Sequence, residues 1–177
     1  MRIKILLVAA ALLLAGCTSA APGTPIPAPT STPVSQNGKT TAPPTSTLTA
    51  LDPCTLLTSQ ARSELKGEAT PEKIEFPSSR ACQWNTTEVV DGYKFGFTIG
   101  IFPKLGLDKI NSYSQKIDTT VNGRKAVRFT GAGGSGYSIS LELTPTSRVD
   151  LVYVGREDDS MWARVQRLAE LVEPELP

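Results

Sequence analysis

The chain has 177 residues, 18 of them basic and 17 acidic, and no histidine. The missing imidazole excludes Ser-His-Asp and Cys-His catalysis and removes the commonest zinc ligand. The first 16 residues hold two of the basic residues and no acid, which leaves 16 against 17 and a net charge of −1. The remainder therefore has no basic footprint for nucleic acid and no polybasic patch for a membrane surface.

Arg2 and Lys4 precede an apolar run from Ile5 to Leu14. A charged front, a short apolar middle and small residues before a cut make a secretory signal peptide, too short to be a membrane span. Leu14-Ala15-Gly16-Cys17 has the form of a bacterial lipobox: small side chains admit the signal peptidase, and only a cysteine thiol can carry a thioether-linked diacylglycerol. The expectation is cleavage between Gly16 and Cys17, with diacylglycerol and palmitate on Cys17. The protein would then sit on the extracytoplasmic face of the cell membrane through that lipid, since several acyl chains anchor stably where one does so only marginally.

Residues 17–50 follow as the lipidated Cys and a tether. Pro22, Pro25, Pro27, Pro29, Pro33, Pro43 and Pro44 lie among Ala, Ser and Thr, with one charge, Lys39. Such a stretch cannot bury enough surface to offset its ordering entropy. At about 3.1 Å per residue it could hold a domain up to roughly 100 Å from its anchor. Its Thr- and Pro-rich composition also fits O-glycosylation.

A single domain is expected over residues 51–177. Asp52-Pro53 suits an N-cap and first helical position, and Thr58 can cap a short helix over 59–66 that stops at Gly67. Leu56, Leu57, Ala61 and Leu65 give its buried side. A loop through Pro71 and Pro77 leads to a strand at 81–84. With Cys17 taken by the lipid, Cys54 and Cys82 remain as a pair in an oxidising compartment, which favours a disulfide that stabilises by about 3–4 kcal/mol through loop closure.

Tyr93, Phe95, Phe97, Ile99 and Ile101 alternate along one strand face. Gly96 and Gly100 lie on the other, marking either a bend in the sheet or a flat docking surface. Pro103 ends this strand, and a short helix is expected over 106–112. Strands at 117–121 and 125–130 flank Asn122-Gly123, a strong hairpin signal, with Val127 and Phe129 inward. Strands at 137–143 and 149–154 follow. Asp158, Asp159 and Ser160 open a terminal helix whose stripe is Met161, Trp162, Val165, Leu168, Ala169 and Val172, stopped by Pro174. The predicted fold is α+β, an antiparallel sheet of five to six strands with N-terminal and C-terminal helices packed on one face.

Candidate chemistry is sparse. Ser63 and Lys66 match the Ser-x-x-Lys signature of penicillin-recognising enzymes, but its partner motifs are absent, and both read as surface residues of a short helix. Gly131, Gly133, Gly134 and Gly136 form a Gly-rich run. Strands flank it, so it reads as a hairpin loop that could bind a partner rather than a phosphate cradle. Asp150, Glu157, Asp158 and Asp159 are the densest acids, with Asp158 and Asp159 placed where a helix dipole favours negative charge. Trp84 and Trp162 read as core. Neither a metal nor a cofactor is expected.

Leu51-Asp52-Pro53-Cys54-Thr55-Leu56-Leu57-Thr58, then Cys82-Gln83-Trp84, the Asn122-Gly123-Arg124-Lys125-Ala126 turn and the terminal amphipathic helix together resemble the actinobacterial LprB-like lipoproteins that carry a domain of unknown function, number 3558. The resemblance covers roughly residues 51–172 and the anchor. It implies a cell-envelope lipoprotein and carries over no reaction, ligand or catalytic residue. The expectation is thus a non-enzymatic, membrane-anchored module that binds an envelope protein or a small hydrophobic ligand. The contact surface would be the Gly131–Gly136 loop or whichever sheet face the helices leave open. The alternatives are a carboxylate-dependent envelope enzyme using Asp150 and Glu157, or a structural accessory subunit of a membrane complex.

Overall fold

Period-two alternation of apolar and polar residues sets the architecture of the computed structural model, which describes residues 45–112, 114–131, 136–156 and 158–177. The strands are β1 (Glu72–Phe76), β2 (Ser79–Val90), β3 (Tyr93–Phe102), β4 (Ile117–Val121), β5 (Arg124–Thr130), β6 (Gly136–Thr144) and β7 (Ser147–Val154). They form one sheet in the order β1-β2-β3-β7-β6-β5-β4, with every neighbour antiparallel. Seven strands replace the expected five to six. The extra one is β1, placed by its sequence in a loop because charges interrupt its pattern and prolines flank it. It lies on the edge of the sheet, where charged side chains are the rule because they discourage pairing with another chain.

Two meanders meet in the middle of the sheet, where β3 pairs with β7. The β2–β3 turn puts Asp91 at φ +50° and Gly92 at φ +80°, and the β4–β5 turn puts Asn122 at +50° and Gly123 at +88°. Both are two-residue hairpin turns whose twist matches the strands, and glycine is favoured there because it has no Cβ to strain.

One face, the inner one, carries the main core. Trp84, Phe97 and Tyr153 stand in register on β2, β3 and β7 and stack with ring centroids 5.3 and 5.8 Å apart. Over them lies α3 (Ser160–Val172), which buries Met161, Val165, Leu168, Ala169 and Val172. Met161, Val165, Leu168 and Val172 each add about 1.5–3 kcal/mol on burial, and Ala169 less. Trp162 is only half buried at the rim, edge-on to Tyr137 at 4.9 Å with Arg128 beside it.

The N-terminal side contributes pieces shorter than the predicted helices. These are α1 (Thr45–Ala50), a single 3-10 turn over Pro53–Thr55 and α2 (Ser59–Glu64). Asp52 caps the turn by accepting from the Cys54 N–H at 2.9 Å, and Thr58 caps α2 by accepting from the Ala61 N–H at 3.1 Å. Leu48, Leu56, Leu57, Ala61 and Leu65 join the main core. Leu48 does so from a segment that composition assigned to the tether. The disulfide Cys54–Cys82, with Cα atoms 5.1 Å apart, fixes this side to β2.

The opposite, outer face is covered in part. Because β4 lies at the far edge, the connection from β3 has to cross the sheet. It does so over this face, as a single 3-10 turn (Leu107–Lys109) instead of the expected helix over 106–112. Leu107 and Ile110 pack on Val127 and Phe129 in a second, small core, so these two β5 residues point inward but away from α3. Arg148 clamps the crossing, donating to the carbonyls of Leu105 and Gly106 at 3.0 and 3.1 Å.

Candidate functional site

The glycines of β3 do not make a flat platform. A Cβ on Gly100 would meet the Phe102 ring at 3.5 Å, and one on Gly96 would meet the Val154 side chain at the same distance. Larger neighbours fold over both bare positions, and the Arg148 guanidinium lies 4.1 Å above the Phe102 ring.

Asp150 sits beneath the crossing connection. It accepts from Arg148 at 2.7 and 3.1 Å and from the Ser140 hydroxyl at 2.5 Å, so its lone pairs serve a structural clamp. Glu157, its proposed catalytic partner, lies outside the described residues. Asp158 accepts from the backbone N–H and hydroxyl of Ser160, which hold its carboxyl below the usual range at the start of α3. Ser63 and Lys66 are likewise separately engaged. The Ser63 hydroxyl donates to the Ser59 carbonyl at 2.9 Å, and the Lys66 ammonium lies 3.7 Å from Glu88.

Of the Gly-rich run, Gly131 and Gly136 close the β5–β6 loop through a 2.7 Å bond from the Gly131 N–H to the Gly136 carbonyl, while Gly133 and Gly134 lie outside the described residues. Gly16 and Cys17 also lie outside them. Among the described residues no group of three His, Cys, Asp or Glu side chains is placed to hold a metal ion.

Two concavities adjoin at the end of the sheet where α1 leads into the domain. The larger is a cleft of about 360 Å³ between the β1–β2 turn and the start of the crossing connection. Its walls are Thr49, Phe76, Pro77, Arg80, Pro103, Lys104 and Leu105, with Ser78 and Ser79 in the turn. Two prolines fix its shape from opposite sides, since each locks its own φ. Phe76 is 57% exposed, held out on the edge strand with no core to enter.

The smaller, about 180 Å³, shares Thr49 and Arg80 and adds Asp52, Lys73 and Glu75. It is polar. Lys73 donates to Asp52 at 2.7 Å, and that bond, with the Cys54 N–H, draws the Asp52 carboxyl below the usual range. Arg80 stands between the two cavities, its Nη2 donating to the carbonyls of Leu48 and Leu51 at 3.0 Å each. It thereby satisfies carbonyls at the end of α1 that the helix leaves unpaired. Sequence patterning missed this site because its parts come from three separate stretches of the chain, the end of α1, the β1–β2 hairpin and the start of the crossing connection, none with a motif. The one available signal was Phe76, an aromatic wedged between Glu75 and Pro77.

The family model described as "Protein of unknown function (DUF3558)" matches residues 12–175, the Cys17 region included. The chain belongs to this family. As a DUF3558 protein it comes with no inherited activity, and the cleft has to be read from its own chemistry. No curated protein and no solved structure matches the chain.

A third cavity, beside α3, holds a bidentate ion pair. Arg164 donates to both carboxylate oxygens of Glu88 at 2.9 and 3.2 Å and stacks 4.6 Å over Phe95. This bond holds the Glu88 carboxyl below the usual range. Burial raises the Tyr153 hydroxyl beneath it. The bidentate geometry ties the start of α3 to β2, a structural role.

Proposed function

We propose that this protein is an LprB-like lipoprotein of actinobacterial type, anchored by lipid at Cys17 to the extracytoplasmic face of the membrane. We read its domain as a non-enzymatic module that captures a small hydrophobic ligand in the cleft at Phe76. The signal segment, lipobox and Pro-rich tether support the location. The observation that carries the binding role is the cleft itself: a mostly apolar concavity with an exposed aromatic wall and a few polar groups has the make-up of small-molecule sites. The non-enzymatic reading rests on Asp150, whose carboxylate is engaged by Arg148 and Ser140. The N-terminal and C-terminal helices then serve as supports on the inner face.

Native mass spectrometry of the protein extracted from its own envelope tests the binding role. The expected result is a bound small molecule that Phe76→Ser loses. A wild-type mass equal to that of the lipidated chain alone overturns it. A second reading, docking to an envelope protein, is favoured by the β2–β3 hairpin, where Val89 and Tyr93 are each 55% exposed. Under that reading Tyr93→Ser, and not Phe76→Ser, abolishes recovery of a partner by cross-linking in intact envelope.

A further inference from the structure

We infer that the cleft selects single-chain anionic amphiphiles, with the alkyl chain against Phe76, Pro77, Pro103 and Leu105 and the anionic head at Lys104 and Arg80. This rests on the reading of the cleft as a ligand site and names the class of ligand. Three observations carry it.

The first is charge. Lys104 and Arg80 are the cations of this cleft, and none of the described residues in its wall is acidic. Among the described residues neither cation forms an ion pair, whereas the neighbouring Lys73 and Arg148 are matched by Asp52 and Asp150. Arg80 is half buried, spends Nη2 on two carbonyls and on its other side meets the carboxylates of the adjoining cavity, with Glu75 in register on β1 and Asp52 drawn down in part by its charge, so among the described residues Lys104 is the cation of the pair that no acid answers. A wall that joins cations to apolar side chains is best met by an anion that brings its own apolar tail.

The second is size. About 360 Å³ is near the lower end of the roughly 300–1,000 Å³ typical of ligand pockets. It suits one alkyl chain and not a two-chain lipid.

The third is rigidity. Pro77 and Pro103 fix the two lips, and Arg148 holds the Leu105 carbonyl from beneath. The walls are therefore formed before a ligand arrives, which lowers the ordering cost of binding.

The test uses the chain from residue 17 with Cys17→Ser, which retains the whole folded unit, and follows backbone amide NMR signals. Decanoate, decyltrimethylammonium and decyl glucoside are added below their micelle concentrations, with anionic phospholipid vesicles as a fourth arm. Decanoate is expected to shift Phe76, Ser78, Lys104 and Leu105 saturably and to leave Val89 and Asn122 in place. Lys104→Glu is expected to weaken that binding about tenfold or more, as loss of a charged hydrogen-bond partner does. Phe76→Ser should weaken it as well. Both side chains are exposed, so the variants should keep the wild-type spectrum elsewhere.

Equal binding of the glucoside or the ammonium compound overturns the anionic selectivity while leaving the cleft a ligand site. Binding to vesicles without decanoate shifts also overturns it, in favour of a bilayer surface. No shift with any probe removes both the selectivity and the cleft reading.

Discussion

Arg148 is 5% exposed yet meets Asp150, two backbone carbonyls and the Phe102 ring at once. Its loss strands a carboxylate and two carbonyls beneath the crossing connection. Removing one partner of such a buried pair costs about 3–5 kcal/mol, so Arg148→Met should lower the urea midpoint by a corresponding amount. Glu88 makes a prediction of a different kind. Arg164 lowers its folded-state value below the ordinary 4.5, so the unfolded chain takes up the proton first as acid is added. The stabilisation is complete above about pH 4.5 and fades as pH falls through the lowered folded value. Thermal melts from pH 7 to 2.5 should show the melting temperature of Glu88→Gln reduced at neutral pH and less sensitive to acid than that of the wild type.

Elements with a regular pattern were legible in the sequence, and those placed by tertiary context were not. The alternation of β3, the Asn122-Gly123 turn and the stripe of α3 each bury one continuous face, and such faces show in the residue order. β1 and the crossing connection answer to neighbours far away in the chain: one is an edge, and the other is held by Arg148, Val127 and Phe129. The cleft was illegible for the same reason, since Phe76, Arg80 and Leu105 converge only after β4 is sent to the far edge.

Two substitutions probe these placements. A Cβ on Gly106 would lie 2.2 Å from the Pro145 carbonyl oxygen, so Gly106→Ala must push the connection off the sheet. A loss of about 1–3 kcal/mol or more is expected in chemical denaturation, with faster amide exchange at Leu107 and Ile110. Replacing Cys54 and Cys82 together by Ser frees the Pro53–Thr55 turn and should cost about 3–4 kcal/mol, read as a lower melting temperature that reducing agent no longer changes.

The proposed anchor at Cys17 lies outside the residues that form the described core. The described core lies within residues 48–176, so Cys17→Ser should move the protein from the membrane to the soluble fraction and abolish labelling by radioactive palmitate without altering the melting temperature. Many copies leashed to one surface would meet one another far more often than in free solution. An open sheet has two unpaired margins, and here the one formed by β1 alternates Glu72, Lys73, Ile74 and Glu75 along only five residues. Those charges make each copy a poor template for the next. Turning Lys73 and Glu75 into valines should leave the isolated domain folded yet let neighbours zip edge to edge, visible as growth of thioflavin-positive fibres wherever the chains are concentrated.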